Sequence, residues 1–210
     1  MDSMSSPSAL ALFGQSLLIG LSIAAPVGQI GALAIQRTLE GGRAEGLATG
    51  LGAALADAVY GAIGAFGATG LINGLLGARL WLGLGGGAFL LFLAWRIAAR
   101  PVADVVVEHP PAGTLVRHLS ATFVLTLANP MTILSFMAVF GALAGRAPAA
   151  SPWVMVGGVL VGSALWWLAL STGVGWLRDR FDAAWRRAVN RLSAALLAGL
   201  GVWQLGQLVP

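Results

Sequence analysis

The chain contains no cysteine and no lysine, and only 10% of its 210 residues are charged. Without cysteine there is no thiol chemistry, no disulfide relay and no thiolate metal site. The shortage of charge excludes more. A soluble domain carries roughly 25% charged residues, and a chain with less than half of that cannot cover its surface with polar groups. Acids are scarce within the apolar runs, where Asp57 alone lies deep. The two histidines, His109 and His118, fall in or beside one connecting segment, where a solvated role suffices. An intramembrane enzyme needs a Ser/His pair, two aspartates or a histidine-rich metal site within its spans. None of these sets is available, so the chain reads as a non-enzyme.

What is present is apolar: 58% of residues are hydrophobic and the mean hydropathy is +0.85. Most segments of about 20 residues are apolar throughout, the length that crosses a hydrocarbon core of about 30 Å. The runs are continuous rather than alternating, which favours helices over a barrel. We predict an all-α integral membrane protein with six spans at about 9–35, 45–69, 76–98, 119–144, 153–175 and 191–208. The N-terminus, M-D-S-M-S-S-P-S, has no basic region, so the first run is expected to stay as a span.

All twelve basic residues are arginine, giving a net charge of +4. They fall in short gaps between apolar runs, which argues against a nucleic-acid partner. Arg37 and Arg43 follow span 1, Arg96, Arg100 and Arg117 follow span 3, and Arg178, Arg180, Arg186, Arg187 and Arg191 follow span 5. The opposite side has Arg79 and Arg146 only. Ten against two is a strong positive-inside bias. It places both termini outside the cytoplasm, in a plasma (inner) membrane.

The proline-rich connection at about 100–117 divides a single domain, 1–210, into halves of three spans, about 8–99 and 118–210. An odd number of spans per half makes the halves opposite in orientation, hence an inverted repeat. L21-S-I-A-A-P-V aligns with L125-T-L-A-N-P-M, setting Pro26 opposite Pro130 and Ser22 opposite Thr126. G52-A-A-L-A-D-A-V-Y60 aligns with G158-V-L-V-G-S-A-L-W166, setting Asp57 opposite Ser163. Interrupted spans at matching places in two repeats point to a transporter's binding site.

Pro26 has no N–H, its ring clashes with the carbonyl of Ser22, and it turns Ala25 away from helical angles. The same argument at Pro130 frees the carbonyl of Thr126. Broken backbone survives in lipid only inside the bundle or beside a water-filled cavity. Two proline kinks healed by the hydroxyls of Ser22 and Thr126 would look the same in sequence. The paired breaks, with Gly28, Gln29, Asn129 and Thr132 beside them, favour a binding locus. Asp57 lies on a stripe of small residues with Tyr60 one turn away, so it should face the bundle. A charge at that depth costs at least ~2.5–3.5 kcal/mol. It is therefore either a coupling carboxylate that exchanges protons, or a neutral structural acid hydrogen-bonded to Tyr60 or Ser163. Glycines suit tight helix packing. The tryptophans at 81, 95, 153, 176 and 203 suit interfacial anchors, whereas Trp166 and Trp167 lie deeper.

The segment from A-P-V-G-Q-I-G to L-A-D-A-V-Y-G resembles the opening of the LysE-type translocators, exporters of lysine, homoserine, threonine and related metabolites. G-G-A-F-L-L-F-L-A-W-R and L-A-N-P-M-T-I-L-S-F are similar to later motifs of that family. The resemblance covers nearly the whole chain and implies an exporter of an amino acid or derivative; with Asp57 as the coupling group, the leading reading is a secondary exporter driven by the proton gradient, with no cofactor. The same resemblance puts Pro26, Gly28, Asp57, Asn129 and Pro130 on motif positions. Gln29 stands where a second proline is usual, and Met131 where lysine is frequent. A metal-cation exporter, as found among distant relatives of the family, remains the other reading, though one carboxylate is a thin ligand set. A homodimer would suit so small a transporter.

Overall fold

The computed structural model describes residues 9–26, 28–66, 79–99, 113–129, 132–133, 135–136, 152–177 and 183–206. Among them are seven helices and no strand: α1 (Ala9–Ala24), α2 (Gln29–Gly41), α3 (Arg43–Ala65), α4 (Arg79–Ala99), α5 (Thr114–Leu127), α6 (Pro152–Leu177) and α7 (Ala183–Gly206). α3 and α6 are each long and apolar enough to cross a membrane, and α1 with α2 passes the same test as one bent span. The last eight residues of the expected fourth span, 137–144, lie outside the described residues.

The first expected span is two helices meeting at 79°. α1 stops at Ala24 because Pro26 has no N–H and constrains Ala25, whose own N–H still bonds the Leu21 carbonyl at 2.9 Å. Gly28 is extended, and its carbonyl accepts the Ala32 N–H at 3.0 Å, opening α2. This second helix runs to Gly41, beyond the expected end of the span at 35. Between Gly31 and Gly41 no residue favours a stop, so the helix continues through Arg37. Its 13 residues make about 20 Å, and nearly every side chain from Gln29 to Leu39 is buried. A helix buried all round belongs at the centre of a bundle. α2 packs there against α3, α6 and α7. Gly42 then turns the chain with φ 88°, a conformation glycine adopts freely, and α3 begins at the next residue.

Elsewhere α1 packs on α6, α3 on α5, α3 on α6, and α4 on α7. Glycines set two of these distances. A Cβ on Gly158 would meet the backbone of Phe13 and the side chain of Ser16 on α1. A Cβ on Gly52, the aligned residue of the other half, would meet the backbone of Leu119 and Phe123 on α5.

The bundle carries polar groups inside and apolar ones outside. Ser16, Gln29, Gln36, Thr38, Thr49, Asp57, Thr122, Thr126, Ser163 and Ser171 are buried, while Leu18, Val124, Leu165, Leu192 and Val202 are exposed. Trp81, Trp95, Trp153, Trp176 and Trp203 are exposed as well, and Trp167 is buried. This distribution suits lipid as the surrounding solvent, and the chain is an α-helical, multi-pass membrane protein.

Candidate functional site around Asp57

α3 places Asp57 between two apolar clusters. On one side Ala53 and Ala54 pack with Ala24, Ile30, Leu125 and Trp167; on the other Tyr60 packs with Ile133, Phe136 and Val159. Residues flanking both helix breaks thus surround the turn of α3 that bears the carboxylate. Asp57 itself is buried at 3% exposure, and the Ser163 hydroxyl of α6 donates to its Oδ2 at 2.7 Å. The aligned partner from the other half is therefore its hydrogen-bond donor. No cation among the described residues forms an ion pair with it.

Tyr60, one turn along, donates its hydroxyl to the Leu127 carbonyl at 2.6 Å and stacks on Phe136 with ring centroids 5.5 Å apart. Leu127 is the last residue of α5, and Tyr60 supplies a donor to its carbonyl. The Thr126 carbonyl is not left free as expected: the Asn129 N–H reaches it at 3.1 Å. Beyond the break the Asn129 carbonyl accepts the Ile133 N–H at 3.2 Å, and residues 132, 133, 135 and 136 are helical again. Pro130 and Met131 lie outside the described residues.

The remaining predicted residues divide. Gln29 and Thr126 are buried, Gly28, Asn129 and Thr132 are half-buried, and Ser22 and Pro26 are exposed. The Ser22 side chain therefore takes no part in the buried group around Asp57. Among the described residues the Thr126 hydroxyl and the Trp167 indole N–H are buried without a hydrogen-bond partner. Both residues neighbour or join the cluster that packs beside Asp57. Unsatisfied buried polar atoms of this kind call for a water or ligand.

Arg37 corrects the sequence reading. The positive-inside count treats it as a gap residue, yet it is 8% exposed on α2. Its Nη1 donates to Thr49 Oγ1 at 2.9 Å on α3 and to Thr122 Oγ1 at 3.3 Å on α5. His118 is likewise half-buried rather than solvated, with Nδ1 3.6 Å from Glu45. The sequence signal available was the unbroken helical run from Gln29 to Gly41, which carries Arg37 inward with Leu33 and Gln36.

Residues 21–206 match the family model described as LysE type translocator. The chain is 32% identical over 146 residues to the uncharacterized membrane protein YahN of Escherichia coli, covering 65% of this chain and 63% of YahN, just under two thirds of that relative's length. It is 28% identical over 196 residues to the chemotactic transduction protein ChpE of Pseudomonas aeruginosa, covering 91% of this chain and 96% of ChpE. No solved structure matches the chain.

Proposed function

The chain belongs to the LysE type translocator family, and from that membership we propose that it exports a small polar metabolite, an amino acid or a derivative, across the plasma (inner) membrane. The proton gradient drives the export through Asp57. The observation that carries the reading is the buried Asp57 carboxylate, held by the neutral Ser163 hydroxyl with no described counter-cation. Such a group is costly to keep charged inside a membrane and finds relief by taking up a proton or a cationic substrate group.

Two further observations support a site between inverted halves. Exchanging the halves converts the α1–α6 contact into α5–α3 and maps α3–α6 and α4–α7 onto themselves, and all four contacts occur. On that reading the hydrogen-bonded Asp57 and Ser163, which the alignment sets opposite each other, exchange places when the halves are exchanged, which supports a site at the centre of the repeat. On this reading Pro26 and Pro130 act through the backbone they interrupt, and Gly28, Gln29, Tyr60, Thr126, Asn129 and Thr132 line the surrounding polar track. Both termini lie outside the cytoplasm, and the arginine-rich end faces inward.

Metabolite profiling tests the function: medium from cells producing the protein should gain at least one small amino-acid-like solute relative to cells lacking it. No difference for any small solute under metabolite load would overturn the reading.

A further inference from the structure

A cavity of about 470 Å³ lies where the C-terminal ends of α2 and α4 meet the N-terminal ends of α3 and α5. Arg37, Arg96 and Arg117 line it, together with Glu40 and Glu45. Both acids already have partners within the protein: Asn190 Nδ2 donates to Glu40 at 2.8 Å, and Glu45 lies against His118. Among the described residues no carboxylate forms an ion pair with any of the three arginines. Arg96 instead sits over the Phe92 ring at 5.7 Å.

Arg37 is the telling member. More than nine-tenths of it is buried, yet its direct hydrogen bonds go to neutral oxygens, with Glu45 and Glu40 acting on it only through space. The Thr49 hydroxyl donates to the Glu45 carbonyl and the Thr122 hydroxyl to the His118 carbonyl, both at 2.8 Å. With those protons committed, each hydroxyl oxygen is fixed as an acceptor for Nη1. The rest of the guanidinium has no hydrogen-bond partner among the described residues, leaving Nη2 and Nε as a two-pronged donor edge. That edge matches a carboxylate. The remaining wall includes Leu33, Phe89 and Leu93, which would receive an aliphatic or aromatic body.

We infer that this cavity binds the carboxylate of a metabolite with an apolar side chain, Arg37 and Arg96 holding the carboxylate and Leu33, Phe89 and Leu93 the body. The inference rests on the export reading for its direction, since it makes the arginine-rich end the place where cargo is collected before it reaches Asp57.

The test is equilibrium binding to the full-length chain in lipid nanodiscs, followed by calorimetry with 4-methylpentanoate, its uncharged isostere 4-methylpentanamide, and acetate. The pentanoate should bind at least about ten-fold more tightly than either the amide or acetate. Arg96→Gln, at a half-buried position where folding is little at risk, should weaken the pentanoate by about five-fold or more, and Arg37→Gln by more still. Arg191→Gln removes the same charge outside the cavity and should leave the affinity unchanged. Equal affinity for acid and amide, or equal effects of Arg96→Gln and Arg191→Gln, would overturn the assignment. Binding without any metabolite efflux would leave the cavity standing and sink export; efflux without pentanoate binding would do the reverse.

Discussion

Asp57 and Tyr60 stand one turn apart on α3 and do different work. Tyr60 closes the open end of α5 by donating to the Leu127 carbonyl. Tyr60→Phe keeps the ring against Phe136 and removes only that donor, so thermal unfolding in detergent should report a loss of about 1 kcal/mol. Ser163→Ala takes the hydroxyl from Asp57 and leaves a buried carboxylate unsatisfied, a change expected to cost about 1–3 kcal/mol. If Asp57 is only a structural acid, Ser163→Ala should lower stability and leave the pH dependence of efflux as it was. Under the coupling reading that pH dependence shifts as well. The sequence offers Tyr60 and Ser163 alike as partners for Asp57, and the structure selects Ser163, the residue that aligning the halves sets opposite it. The exposure of Ser22 was not, because a proline marks where a helix breaks without saying which way the preceding turn faces.

Among the helices, the close approaches make the sharpest distinction. Gly157 and Gly158 are adjacent on α6, but a Cβ at Gly157 meets nothing within 4 Å, whereas one at Gly158 runs into α1. Gly158→Ala should therefore destabilise by about 1–3 kcal/mol through forced separation of α1 and α6. Gly157→Ala should be neutral or gain up to about 1 kcal/mol from helix propensity. Equal melting temperatures for the two variants would contradict the packing described. Helix identity was readable from apolar runs and from Pro26, which places the end of α1 within two residues. The length of α2 was not. An arginine at position 37 reads as the edge of a span, and only tertiary contacts with Thr49 and Thr122 reveal that a charged side chain is accommodated inside.

For the chain in its membrane, the exposed tryptophans and leucines define the lipid-facing surface, and the arginine count proposes which end is cytoplasmic. The absence of native cysteine makes this directly measurable. Single cysteines at Arg43 and Arg117 should react with a membrane-impermeant maleimide only from the cytoplasmic side, and one at Trp153 only from outside. Composition alone was enough to identify the membrane class. Which helices pack against which needed coordinates, since a narrow alphabet of Ala, Gly, Leu and Val produces chance alignments between almost any two spans.

The most direct trial of proton-coupled export through Asp57 uses purified protein in proteoliposomes loaded with the solute that metabolite profiling identifies. With a pH gradient imposed, the wild-type chain should drive that solute against its concentration gradient. Asp57→Asn should abolish the uphill component while still binding the solute and allowing exchange. Uphill transport by Asp57→Asn at the wild-type rate would contradict the proposed coupling.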